Sequence, residues 1–149
     1  MQSNQISSMD FLPSNPKDLN QSSYWNKFFQ SPHFKDGFEW YASFSDLQPY
    51  LSQYIKPKSP LEIVLVPGCG NSDLSEKICM EMGVEVVSVD YEKEVVMKME
   101  EKKKEGVRVR YVEGDVTRLE GMGDGEVAYV VDKGTMDAIA VDDAQETKE

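Results

Sequence analysis

Between Leu61 and Val131 the chain alternates β-branched apolar runs with amphipathic stretches, and this alternation confines it to very few folds. Leu61–Val66, Val84–Val89, Val107–Val112 and Val127–Val131 are rich in Val, Ile and Leu and predict strands, the first of them buried on both faces. Leu74, Ile78 and Met82 recur at every fourth residue and predict a helix over Asp73–Met82. Asp73 and Glu76 are placed as a capping box, and Gly83 as the C-terminal cap. Glu92–Lys104 predicts a second helix with Val95, Val96 and Met99 as its apolar stripe; its charged run, Glu100–Glu105, is the solvated face, and Gly106 ends it. Thr135–Val141 begins another helix. Strand–helix–strand units of this kind make right-handed crossovers and a parallel sheet. The fold class is therefore α/β, a Rossmann-like, doubly wound parallel sheet.

The segments around this unit divide the chain further. Residues 1–20 are Ser/Asn/Gln-rich, carry Pro13 and Pro16, and predict a disordered leader. Residues 21–60 predict a short helical lid. In Tyr24–Gln30, Trp25 and Phe29 share a helix face; Ser31–Gly37 is a turn-rich loop; Phe38–Tyr41 leads into a helix across about Phe44–Ile55. Pro49 fits that helix in its first turn if the helix starts at Ser45 or Asp46. Residues 61–141 form the Rossmann-like unit, and 142–149 a polar tail.

Net charge narrows the partners. At −11 the surface repels phosphate backbones, which argues against nucleic acid. No apolar run approaches the roughly 20 residues of a membrane span, so no membrane partner is expected. Two cysteines, Cys69 and Cys79, and one histidine, His33, are too few for a zinc site, so no metal is expected. Nothing in their spacing points to a disulfide framework, and a reducing, cytoplasmic location is expected.

Chemistry-bearing residues fall where the predicted strands end, the edge at which open α/β sheets take ligands. Gly68-Cys69-Gly70 follows the first strand; such glycines permit a sharp turn and a close backbone approach, or make a plain tight turn. Asp90 ends the second strand, 22 positions beyond Gly68. That is near the spacing of about 20 expected for a carboxylate that accepts ribose hydroxyls, although an Asp there also suits a helix N-cap. Glu113-Gly114-Asp115-Val116 follows the third strand, where Asp115 can accept from an adenine amine and Val116 can flank the ring. Asp132-Lys133-Gly134-Thr135-Met136-Asp137 follows the fourth. The dinucleotide fingerprint requires a third glycine where this chain has Asp73. A carboxylate in the first helical turn opposes a phosphate but not the cationic sulfonium of S-adenosylmethionine (SAM), which favours SAM over NAD.

These residues also carry a resemblance. Tyr24-Trp25, Phe28-Phe29, Phe38-Glu39-Trp40-Tyr41, Val66-Pro67-Gly68-Cys69-Gly70-Asn71-Ser72-Asp73-Leu74-Ser75, Ser88-Val89-Asp90-Tyr91, Gly114-Asp115-Val116 and Asp132-Lys133-Gly134-Thr135-Met136-Asp137-Ala138 resemble class I SAM-dependent methyltransferases. The similarity is to the methyltransferase-like group that modifies elongation factor 1-alpha. The resemblance implies the N-terminal half of a seven-stranded class I methyltransferase fold behind a helical lid, with SAM as cofactor and a protein lysine as acceptor. It implies that Trp25, Phe29 and Trp40 pack near the cofactor from the lid, although both tryptophans also read as core aromatics. It implies that Gly68 approaches the methionine moiety, that Asp90 holds the ribose with Tyr91 and Glu92 beside it, that Asp115 and Val116 hold adenine, and that Lys133 sits beside the cofactor.

Methyl transfer to an amine requires a neutral nucleophile and depends mainly on positioning. No general base is assigned from the sequence; Asp132 and Asp137 are the candidates. Four strands of the expected seven fall within the chain, so a truncated form is expected, with its fourth strand an unpaired edge. A non-catalytic SAM-binding or interaction module is the alternative to a methyltransferase.

Overall fold

The computed structural model describes residues 12–141. Most of the expected leader, 1–11, and the expected polar tail, 142–149, lie outside them. In chain order the elements are α1 (Ser22–Gln30), α2 (Phe44–Tyr54), β1 (Ile63–Pro67), α3 (Leu74–Met82), β2 (Glu85–Asp90), α4 (Lys93–Lys102), β3 (Val109–Glu113), β4 (Val127–Val130) and α5 (Thr135–Ile139). A 3-10 helix, Pro16–Asn20, precedes them.

The four strands form one sheet in the order β3-β2-β1-β4, and all pairings are parallel. Pro67 lies opposite Val89, and Asp90 opposite Glu113, so the C-terminal ends of β1, β2 and β3 reach the same edge. β4 slips its register on β1 between Ile63 and Val64.

The two faces of the sheet are covered differently. On one, Val64, Val66, Val86, Val109 and Tyr111 pack with Leu74 and Ile78 of α3, Val95, Val96 and Met99 of α4, and Phe44 of α2. The stripes expected of α3 and α4 are thus the ones buried. α2, expected within the lid segment, belongs to this core layer. On the other face, Leu65, Val87 and Val89 meet Val116, Leu119 and Met122 from the connection between β3 and β4.

Three local expectations are corrected. The 3-10 helix lies inside the stretch expected to be disordered: Asn15 accepts the Lys17 N–H at 3.1 Å and Pro16 supplies a preset φ at the start, so local capping orders it. The capping box at Asp73 and Glu76 does not form. Asp73 turns to Lys77 at 2.7 Å, and the Leu74 N–H donates to the Ser72 hydroxyl at 3.1 Å instead. α2 begins at Phe44 on a capping box of Ser43 and Asp46, so Pro49 lies in the second turn and removes the hydrogen bond that its position would give Ser45.

Among the described residues no helix is long and apolar enough to cross a membrane.

Candidate functional site

A cavity of about 530 Å³ runs along the C-terminal edge of the sheet. Its floor is the turn after β1 together with residues that follow β2, β3 and β4. Its roof is α1, the 3-10 helix and the strap around Phe38–Trp40.

The turn after β1 depends on its glycines. Gly68 has φ +59°, and a Cβ there would meet the Thr135 hydroxyl at 2.0 Å. Thr135 in turn donates to the Pro67 carbonyl at 2.8 Å, so α5 is seated directly on the turn. Gly70 has φ +51°, and a Cβ would meet the Phe29 ring at 2.9 Å, so α1 lies against it. No other residue type satisfies both the backbone and the space at these two positions.

Five N–H groups in and after this turn are taken within the protein. Cys69 donates to the Val89 carbonyl at 3.2 Å and Ser72 to the Cys69 carbonyl at 3.3 Å. Gly70 donates to Asp90 Oδ2 at 2.8 Å, Asp73 to Glu39 Oε1 at 3.2 Å, and Leu74 to the Ser72 hydroxyl at 3.1 Å. At the start of α3 the Asp73 and Leu74 donors are therefore taken by a carboxylate and a hydroxyl.

Asp90 is 6% exposed. Its other oxygen, Oδ1, accepts the Glu92 N–H at 3.0 Å. Burial pushes its carboxyl up, opposed by the N–H groups of Glu92 and Gly70. Burial also pushes up the Tyr91 phenol, with the Asp90 charge adding to it. Cys69 is buried beside Asp90; desolvation, then that charge, raises its thiol well above the ordinary range and keeps it neutral. Asp115, by contrast, is held below the usual carboxylate range, by the Thr117 hydroxyl and then by the Thr117 N–H. Its Oδ1 accepts from them at 2.6 and 2.8 Å.

The roof is aromatic. Phe28 stacks on Phe34 with ring centroids 4.2 Å apart and packs against Trp40 at 5.8 Å. Trp25 meets Trp40 edge-on at 5.8 Å and donates its indole N–H to the Leu19 carbonyl at 2.7 Å. Polar anchors tie this cluster to the floor. Asn71 accepts the Phe38 N–H at 3.0 Å and donates to the Phe34 carbonyl. Lys133, from the loop after β4, pairs with Glu39 of the strap and donates to the Ala42 carbonyl at 3.1 Å.

Of the residues singled out from the sequence, Trp25, Phe29, Trp40, Gly68, Asp90, Tyr91, Asp115, Val116 and Lys133 all line this cavity. Glu92 does not. Its side chain turns away from Asp90 toward α1, where it accepts from the Ser22 hydroxyl at 2.6 Å and from the Asn26 amide at 3.2 Å. Glu92 is the N-cap of α4, past the end of β2, so its direction is set by the start of that helix and it ties α1 to the floor. Asp132 and Asp137 also lie outside the lining. Asp132 accepts the Met136 N–H at 3.1 Å, and Asp137 accepts the Tyr41 hydroxyl at 3.0 Å.

Sequence reasoning did not single out Leu19, Ser22 and Thr135, which also line the cavity. Thr135 stood within a quoted motif but was given no role. Leu19 and Ser22 sit in or next to a stretch without apolar periodicity, and nothing local marks them.

The lining carries charged groups of opposite sign toward its two ends. Asp115 and Asp90 follow β3 and β2, whereas Lys133, the one cation among the lining residues, follows β4 at the opposite end of the strand order.

Comparison with known proteins gives two findings. The family profile for the methyltransferase domain matches residues 64–148. Among curated proteins, the chain is 37% identical over 140 residues to the cattle eEF1A lysine and N-terminal methyltransferase, covering 93% of this chain and 19% of that protein. The mouse protein of the same name is 39% identical over 142 residues, again 93% of this chain and 19% of the relative. The cattle EEF1A lysine methyltransferase 4 is 33% identical over 128 residues, 86% of this chain and 49% of the relative. The chain thus spans about a fifth of the first two relatives and about half of the third.

Proposed function

The chain belongs to the methyltransferase-domain family, and on that premise we propose that it binds SAM along the sheet edge and directs methyl transfer to a protein lysine, with elongation factor 1-alpha as acceptor.

The observation that carries the cofactor reading is that the Gly70, Asp73 and Leu74 donors, around the β1 turn and the start of α3, are already taken within the protein. A pyrophosphate at this position needs free N–H groups and a positive helix end. Here Glu39 and Ser72 take the Asp73 and Leu74 donors, and Asp90 takes that of Gly70. A nucleoside that carries no phosphate fits this donor set, and SAM is such a nucleoside.

The polarity of the lining supports the same choice. Asp90, fixed by two backbone donors, keeps lone pairs for ribose hydroxyls. Val116 and the aromatic roof offer apolar walls to a base, and Asp115 an acceptor for its amine. Lys133 suits the carboxylate of the methionine end, close to Gly68 and Thr135. When bound, SAM supplies an electrophilic methyl group on a cationic sulfonium. A cofactor held under the aromatic roof would be partly shielded from water, which would strengthen the fixed charges beside it.

An amine acceptor must lose a proton before it attacks. Asp90 and Asp115 are the carboxylates in the lining, and both already accept from the protein. That favours a second reading, a SAM-binding module without transfer, and we assign no general base. The free, buried Cys69 and Cys79 suit the cytoplasmic location we propose.

Calorimetric titration of the chain with S-adenosylhomocysteine and with NAD tests the cofactor. Binding of S-adenosylhomocysteine alone is expected; NAD binding without it overturns the reading. Transfer of a labelled methyl group from SAM to elongation factor 1-alpha separates the enzyme from the module, since binding without incorporation leaves the module.

A further inference from the structure

Glu39 lies between Phe38 and Trp40, both of which line the cavity, and its carboxylate contacts two further lining residues, Ser72 and Lys133, without being among the lining residues itself. Its carboxylate collects three kinds of donor from two distant parts of the chain. The Ser72 hydroxyl lies 2.7 Å from Oε1 and 2.8 Å from Oε2. The Asp73 N–H donates to Oε1 at 3.2 Å. The Lys133 ammonium pairs with Oε2. The Lys133 side chain is 11% exposed and that of Glu39 28%, so the pair is largely withdrawn from water. An ammonium so placed needs fixed partners, and Glu39 and the Ala42 carbonyl are the two that the structure gives it. An ammonium has three protons, and the third is left for the cavity that Lys133 lines.

Resting on the SAM reading above, we infer that Glu39 is a positioning residue for the amino-acid end of the cofactor. It does not line the cavity itself. It holds Lys133, the one lining cation among the described residues, in place, and it holds the Ser72–Asp73 turn at the same time. One carboxylate thus joins Lys133 to the Ser72–Asp73 turn, beside the Thr135–Pro67 bond and the β1–β4 pairing that also fix this end of the sheet. The nucleoside end, built on Asp90, Asp115 and Val116, shares no hydrogen bond with Glu39.

This division gives a test that a merely structural role would fail. The complete 149-residue chain and its Glu39→Gln variant are titrated with S-adenosylhomocysteine and with 5′-methylthioadenosine, which keeps the nucleoside and the thioether but lacks the amino acid. Glutamine preserves the size of the side chain and an acceptor for Ser72 but removes the charge that holds Lys133. Binding of S-adenosylhomocysteine is expected to weaken about tenfold, the scale of a lost charged hydrogen bond. Binding of 5′-methylthioadenosine is expected to stay within about twofold, and this also reports that the variant is folded. A parallel loss for both ligands, no change in either, or tighter binding of S-adenosylhomocysteine overturns the inference while leaving the SAM reading intact. If the unmodified chain binds neither ligand, the SAM reading falls and this inference falls with it.

Discussion

The floor and the roof of the cavity are built by different physics. The floor is a parallel sheet edge whose turn is held by backbone hydrogen bonds, with glycines where a side chain would collide. Beneath it lie fully buried side chains such as Val64 and Ile78. The roof is a cluster of rings in mutual contact, joined to the floor by a few polar groups: Glu92 to α1, Asn71 to the strap, and Glu39 to Lys133. Hydrophobic burial makes the floor cooperative, whereas the roof hangs on individually replaceable bonds. The floor therefore sets whether the domain exists, and the roof sets how well it encloses a ligand.

The largest expected effect bears on the floor. Ile78→Ala deletes a side chain with no exposure, at the centre of the α3–sheet contact. It should lower unfolding free energy by about 2–4 kcal/mol in chemical denaturation. A loss confined to ligand affinity would break the distinction. Next comes Glu92→Ala, which removes both acceptors for Ser22 and Asn26. S-adenosylhomocysteine affinity should drop by about 1–2 kcal/mol. Amide exchange should quicken in α1 and stay slow in β1 and β2, and equal acceleration in both would show that roof and floor are one unit.

A smaller effect separates two carboxylates of the floor itself. Asp90 is raised above its unfolded value, chiefly by burial. Its favourable contribution is thus present at low pH and lost as pH rises through its folded value. Relative to Asp90→Asn, the wild type should therefore lose thermal stability as pH rises above the ordinary carboxylate value of about 4. Asp115 is lowered, chiefly by the Thr117 hydroxyl, and has the opposite slope: its contribution is lost as pH falls through its folded value. Thermal midpoints across pH check the sign, and a wild type that gains on Asp90→Asn with rising pH contradicts it. The smallest effect is Tyr111→Phe. The Tyr111 hydroxyl is buried and has no hydrogen-bond partner among the described residues, so its removal should leave stability unchanged or raise it by up to about 1 kcal/mol.

The floor could be read from the sequence because each of its parts is local. The β-branched runs, the four-residue stripe of α3, Gly83 as a left-handed cap and the Gly68–Asp90 spacing each announce themselves within one or two elements. The roof could be read only in part. Trp25, Phe29 and Trp40 were identified through resemblance, and their aromatic character fits a core as well as a cavity wall. Glu92 lies outside the lining, and its place two positions after Asp90 says nothing about which way a helix N-cap side chain turns. Glu39 received no role because its partners lie 33 and 94 positions away. Two misread starts did have local signals. Asn15 before Pro16 is an N-cap followed by proline, and Ser43 with Asp46 has the spacing of a capping box.

The ties between roof and floor also have a consequence for the order of events. Ser22 reaches Glu92 across 70 positions, and Glu39 reaches Lys133 across 94. Contacts that close such long loops pay a larger entropic cost than those within α3 or between β1 and β2, and they form after the local ones. β4 also pairs with β1 across a long loop, but through a ladder of backbone bonds, whereas the roof is tied by single bonds. Those ties are therefore expected to open before the sheet does. A ligand bound across the sheet edge would hold them shut.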